Sequence, residues 1–490
     1  MESMSSALHT ARARLTILLT LVIAMAAPAT SSAAEQLRGA QVHSLWASSS
    51  IAQSERELDM LADAGSNSVR IDISWSSLET DGKGEYSPWY VEKADRIFQH
   101  AAERNLKVVA VLWSAPCWAS AAPESLRQGC GGAWWDRGVE RYAPRDMNDF
   151  GDAAQFVAKR WGSKLAALEV WNEPNLADQY SLRASDPAAT DAALLKAAYP
   201  RIKREAPRLP VLAGVLSGSD GDFLEQLYRN GIKGNFDGVS VHPYNEWRDP
   251  DDAWKDEYKR WSFRKGVPSI HKLMSDHGDG AKGIWLTEFG FSTCGNGDRW
   301  CVSDADQAEY IKDSFRIARR WDYVKAALVY NLRNKGTSPS GLEDQFGMLH
   351  RDFSPKPAWA AYRQAMAATD EPQVSLRKAV VSARGVVRVR LACGGSAGVC
   401  AGTTTIVTRP IRQRAGQPKR PMRLGSRRVR IRAGRSKVVK FVIPRRHRAL
   451  LRRLKKVRAQ VTVPSARRSA AHRPRRPALY TLHTDKIAPR

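Results

Sequence analysis

The chain has no HExxH helix and no Walker A loop. Those absences set aside zincin proteases and P-loop NTPases. It has six cysteines but no CxxC spacing and no His cluster, so zinc binding, the competing use of cysteine, lacks its ligand pattern. No metal and no cofactor is implied. No repeat of fixed period is present, and no apolar run after residue 27 is long enough to cross a bilayer, which takes roughly 20 residues. Acidic residues are scarce in one place only. Residues 371–490 hold 33 Lys and Arg but two acids, Glu371 and Asp485, a net +31. The whole chain is +27, which leaves −4 for residues 1–370. A mildly acidic large part is thus followed by an arginine-rich small one.

What is present begins with a secretory pattern. Arg12 and Arg14 precede the apolar run Leu15–Ala27, and small residues at 31–34 offer cleavage sites. Residues 1–34 are therefore expected to be a signal peptide and the protein to be secreted, extracellular or bound at the cell surface; an uncleaved anchor is the alternative. Export suits disulfides. Six cysteines allow 15 pairings, but they fall into local pairs: Cys117 with Cys130, Cys294 with Cys301, and Cys393 with Cys400. Local pairing is the expectation.

Between residues 37 and 369, strand-like apolar runs alternate with helix-like periodic segments. The runs lie at 37–46, 68–75, 107–113, 165–175, 210–218, 236–245, 283–293 and 324–334. Eight such units predict an α/β fold of the (β/α)₈ TIM-barrel kind over residues 35–370. An open doubly wound sheet is the alternative, and it lacks a Gly-rich phosphate turn after the first run. From residue 371 to 465 short alternating segments such as RRVRIRAG and KVVKFVIP predict a small all-β basic sandwich with an arginine face. Residues 466–490 are expected to be a disordered basic tail.

In a TIM barrel, chemistry collects at the C-terminal strand ends. Run four ends in Asn172 and Glu173, run seven in Glu288. Run six ends in His242 and Tyr244, and run two carries Arg70 and Asp72. Paired carboxylates at a barrel mouth suit glycosidic cleavage. One protonates the leaving oxygen; the other attacks the anomeric carbon or activates water. Arg70 beside one carboxylate would keep it ionised. A less polar setting, to which Trp171 could contribute, would keep the other protonated. Arg70 could instead pair with Asp72 or Glu169 inside the barrel, and Trp113, at the end of run three, could be core. The 16 tryptophans serve packing and also suit flat ligands such as sugar rings.

WNEPN at 171–175 with TEFG at 287–290 resembles clan A glycoside hydrolases, most like families 5 and 39, over residues 37–369. The resemblance implies a retaining glycosidase with Glu173 as general acid/base and Glu288 as nucleophile. It also implies that Asn172 binds the 2-hydroxyl, that Tyr244 contacts the nucleophile, and that His242 and Arg70 line the glycone site. The chain departs from the family 5 pattern at Trp113-Ser114, where a His is usual, and at Tyr330-Asn331, where a Trp is usual. The expected substrate is an extracellular oligo- or polysaccharide. The basic domain is expected to hold anionic surface polymers; it shows no nucleic-acid fold signature. The rival reading is a non-catalytic carbohydrate-binding protein.

Overall fold

A computed structural model gives the architecture. It describes residues 35–490 except 177–181, 253–259, 296, 298–299, 369–373, 383, 394–398, 409, 412–419, 433–434, 455, 463–477 and 484–490. The expected signal peptide lies outside the described residues. The eight strands are β1 (Leu37–Val42), β2 (Ser68–Ser74), β3 (Lys107–Trp113), β4 (Leu165–Val170), β5 (Val211–Ser217), β6 (Gly238–His242), β7 (Ile284–Leu286) and β8 (Val324–Val329). Each pairs in parallel with the next, and β8 pairs with β1 to close the barrel.

Helix starts are written plainly in the sequence. Seven of the helices that follow the strands begin on a Ser or Asp whose side chain accepts from a first-turn N–H: Ser50, Ser87, Asp146, Asp186, Asp220, Ser262 and Ser303. Each such cap satisfies a donor that the helix cannot, and contributes about 1 kcal/mol. The eighth helix, Pro357–Met366, has Pro at its first position instead, where no N–H is needed.

Side-chain alternation along the strands splits the interior into layers. Leu37, Val109, Ala167, Leu212, Trp285, Ala326 and Leu328 form one apolar cluster. Their neighbours along the same strands, such as Ala40, Val42, Val108, Leu168 and Ala327, belong to the larger core shared with the helices. Further along β1, β2 and β4, toward their C-terminal ends, the positions that keep the parity of the apolar cluster are polar: Gln41, Arg70, Asp72 and Glu169, all buried. The barrel interior thus turns from apolar to charged at the end where chemistry is expected.

The C-terminal strands form two antiparallel sheets with their own core. One is β13-β10-β9, made of β9 (Val374–Val381), β10 (Val386–Cys393) and β13 (Ser436–Val442). The other is β12-β11-β14-β15, made of β11 (Val399–Thr408), β12 (Arg423–Arg432), β14 (Lys456–Thr462) and β15 (Ala478–His483). A helix, Arg445–Arg453, follows β13. Val387, Val389 and Leu391 of β10 share the core with Val429 and Ile431 of β12 and Phe441 of β13. β15 corrects the expected tail: Ala478–His483 pairs with β14. The Arg- and Pro-rich stretch before it dominates the composition and hides a short apolar-polar alternation at 478–483. The three disulfides are Cys117–Cys130, Cys294–Cys301 and Cys393–Cys400. The first two lie in the connections after β3 and β7.

Candidate active site

The centre of the site is Arg70, fully buried on β2. Its Nε donates to Glu169 Oε2 at 2.7 Å. Its Nη1 donates to Gln41 Oε1 at 2.6 Å and to Glu288 Oε1 at 2.5 Å. Its Nη2 donates to Asn172 Oδ1 at 2.8 Å. Asp72 Oδ1 stands 3.7 Å from Nη1. Burying a guanidinium without such partners would cost several kcal/mol. Burial alone would lower its pKa, but Glu169, Glu288 and Asp72 outweigh it, and the charge is locked on. The pairing of Arg70 with Glu169 therefore coexists with a place in the site.

Glu288 follows β7 and is held from two sides. Arg70 takes Oε1, and the Tyr244 hydroxyl donates to Oε2 at 2.7 Å. The glycine of TEFG has a local reason. A Cβ on Gly290 would sit 2.0 Å from the Tyr330 carbonyl oxygen, and the Tyr330 N–H donates to the Phe289 carbonyl. That close approach sets Tyr330 beside the site, with its ring 6.4 Å from that of Tyr244.

Glu173 reaches the same place by an irregular path. Trp171 and Glu173 both have left-handed backbones, with φ 61° and 46°. Such conformations cost of order 1–3 kcal/mol in residues other than glycine. Neighbouring strands hold them: the Trp171 N–H donates to Leu112 and the Glu173 N–H to Val215. Asn172 is thereby presented to Arg70. Because a guanidinium only donates, the Asn172 carbonyl must face it, which leaves the amide NH₂ free to donate elsewhere.

His242 links the two acids. Its Nδ1 lies 2.8 Å from Glu173 Oε1 and 3.6 Å from Glu288 Oε2, and its Nε2 lies 3.1 Å from the Thr287 hydroxyl. One oxygen of each carboxylate and a ring nitrogen of His242 lie within 4.8 Å of one another. Burial would lower the imidazole pKa, but Glu288 and Glu173 outweigh it and raise it. Burial raises the Glu288 carboxyl; His242 and Arg70 oppose the rise and Glu173 adds to it. Burial also lifts the Tyr244 hydroxyl, reinforced by Glu288, so it stays a donor. A cation could in principle use this trio, but both oxygens of Glu288 already accept from Arg70 and Tyr244.

One expected contributor stands elsewhere. Trp171 is buried in the helix-facing core with its ring against Phe150, centroids 6.0 Å apart. Trp113 ends β3 half-buried, packed on the same core. Gln41, Thr287 and His43 are additions. His43 meets Asp72 at 3.4 Å. Burial works to raise the Asp72 carboxyl, but His43 and Arg70 outweigh it and hold it down. Inward parity on β1, read with β2, could have found Gln41.

The family description that matches this chain is Cellulase (glycosyl hydrolase family 5), over residues 26–329. The chain belongs to glycosyl hydrolase family 5. It is a glycosidase. Among solved structures it is similar to a family 39 glycoside hydrolase from the gut symbiont Bacteroides cellulosilyticus WH2, at 19% identity and TM-score 0.56, covering 83% of this chain and 80% of that one. It is also similar to a GH5_18 variant from Bifidobacterium longum subsp. longum in complex with Manβ1-4GlcNAc, at 14% identity and TM-score 0.51, covering 68% and 78%. A third is GH5_18 from Streptomyces cattleya in complex with GlcNAc, at 16% identity and TM-score 0.50, covering 68% and 80%. At these identities the likeness concerns the barrel fold. No curated relative matches the sequence.

Proposed function

We propose that this glycosidase works with retention of configuration on an extracellular polysaccharide, with Glu288 as nucleophile and Glu173 as acid/base. The observation that carries the mechanism is the close approach of the two acids, one oxygen of Glu173 lying within 4.8 Å of one oxygen of Glu288. Retaining enzymes hold their carboxyl groups about 5–5.5 Å apart, whereas inverting ones leave about 6.5–9.5 Å for a water. Glu288 attacks the anomeric carbon while Glu173 gives its proton to the departing glycosidic oxygen. Water then attacks the glycosyl-enzyme bond, and Glu173 takes a proton back. His242 stands 2.8 Å from Glu173 through Nδ1 and orients it toward the departing oxygen. Arg70 and Tyr244 orient the nucleophile, and the free amide of Asn172 is placed to hold the 2-hydroxyl. Trp113 would contribute to substrate binding from the edge. Export is supported by the leader-like run at 15–27 and by three disulfides; among the described residues no helix is long and apolar enough to cross a membrane. The domain division near residue 370, and retention on anionic polymers by the basic domain, belong to the same reading.

The test is a panel of glycans assayed for reducing ends, followed by a 2-fluoro glycoside of whichever sugar is released. Peptide mass mapping should find the label on Glu288. Proton NMR of the first product should show the anomeric configuration retained. A label on another residue, or an inverted product, would overturn the roles of Glu288 and Glu173.

A further inference from the structure

The C-terminal sheets carry charge in a pattern that goes beyond being basic. Between residues 374 and 483 there is no Asp or Glu at all. On β12, Val429 and Ile431 point into the core while Arg428, Arg430 and Arg432 are exposed. Alternate residues of a strand lie roughly 6.6–6.8 Å apart, so the guanidiniums form a regular row. Their partners across the ladder on β11 are Thr403, Ala401 and Val399, side chains too short to cover them. None of the three arginines has an ion-pair partner among the described residues. β12 is also the terminal strand of its sheet.

The row lacks the other half of most sugar and nucleic-acid sites. All 16 tryptophans lie at or before residue 359. β11 and β12 contain no aromatic residue, and Phe441 in the neighbouring sheet is buried. Neutral sugar rings and unpaired bases are both held by stacking on exposed aromatic rings. β11 and β12, with guanidiniums and no rings, read charge. Guanidinium forks match carboxylates in geometry as well as in sign.

We infer that the Arg428–Arg430–Arg432 row is a docking surface for a polysaccharide bearing repeated carboxylates. The inference rests on the reading that this enzyme works on a polysaccharide, and it names the acidic class of that polymer. Binding needs no turnover, so it can be tested whether or not the catalytic roles hold.

The experiment uses full-length protein and three probes: polygalacturonate, neutral dextran and single-stranded DNA. Affinity is read at low and at physiological salt for wild type and two triple variants. One is R428Q/R430Q/R432Q. The other, R388Q/R390Q/K440Q, removes the same charge from exposed positions on the other sheet. Melting curves matching wild type establish that both fold. The β12 variant should bind polygalacturonate about tenfold more weakly, the scale of three exposed ion pairs, and the control variant should lose less. Wild-type binding should weaken with salt, and dextran should not bind. Equal losses in the two variants would make the attraction a matter of net charge alone and overturn the row. Binding to dextran as strong as to polygalacturonate would overturn the charge reading. Tighter binding of DNA than of polygalacturonate would make nucleic acid the occupant and overturn the polysaccharide.

Discussion

The barrel and the C-terminal sheets handle charge in opposite ways. In the barrel, Arg70 is buried and surrounded by Gln41, Glu169, Asn172 and Glu288, so that each of its nitrogens has a partner. In the sheets, Arg428, Arg430 and Arg432 are exposed on a surface without acids. A buried charge must be paired, because leaving it bare costs several kcal/mol; an exposed one has water. Pairing inside the barrel fixes geometry for a reaction. Lack of pairing outside leaves charge available to another molecule. The two regions share a chemistry of arginine and differ in what surrounds it.

The largest effect that would sharpen this contrast is at Glu288, the proposed nucleophile. Glu288→Gln should cut turnover on the order of 10⁴-fold or more, the scale seen when a covalent catalyst is removed. Normal folding with full activity would break the assignment. The same variant carries a stability signature. The folded state binds a proton at Glu288 more tightly than the unfolded chain does, so wild-type stability falls as pH rises past the ordinary glutamate range. His242, also raised, adds to that fall at higher pH. Glu288→Gln removes the first contribution. Its melting temperature should therefore gain on wild type, by a few degrees, as pH is raised from about 5 to about 8. A variant whose melting temperature falls further below wild type over that range would contradict the burial argument.

Arg70→Met comes next. It leaves Glu169 and Glu288 buried without their cation, and unfolding free energy should drop by about 3–5 kcal/mol. Residual activity should show its acid limb at higher pH than wild type, because Arg70 is one of the groups that oppose the rise of the Glu288 carboxyl. A limb that stays in place would mean that Arg70 only packs.

Disulfides give a finer comparison. In the chain-entropy model, removing Cys117–Cys130, with 13 residues of separation, should cost about 3 kcal/mol. Removing Cys393–Cys400, with 7, should cost about 2.5 kcal/mol. Denaturant titration of the paired Ser variants would order them. The smallest effect expected is none. A chain ended near residue 370 should cleave small soluble substrates as well as the full chain, since Arg70, Asn172, Glu173, His242, Tyr244 and Glu288 all precede that point. Loss of that activity with the barrel still folded would make the sheets part of the site.

Much of the barrel is legible in sequence because parallel strands buried on both faces must be apolar runs, and their helices begin on Ser or Asp. The eight runs each contain an observed strand. The acids are legible for a related reason: polar side chains at the ends of apolar runs stand out. The partners of those acids are less so. Thr287 precedes Glu288 and reads as an ordinary strand residue, yet it meets His242 and Ser240. Trp171 misleads because the backbone turns left-handed on both sides of Asn172, which breaks the alternation on which inward and outward are judged. β9 and β15 escape the sequence pattern for compositional reasons. The first lies where the helical pattern ends, and the second follows a run of Arg and Pro that reads as disorder.

Arg70 also makes the active site a report on the completeness of the fold. The residues it holds are 29, 99, 102 and 218 positions away in sequence, on or beside β1, β4 and β7. No fragment short of β7 contains Glu288, and no chain lacking β1 contains Gln41. Tertiary contacts of such long span close late, because the chain between them must first be ordered. During refolding, the return of secondary structure should precede the return of activity. Catalytic competence then works as an inspection of the finished barrel, carried out by a single side chain.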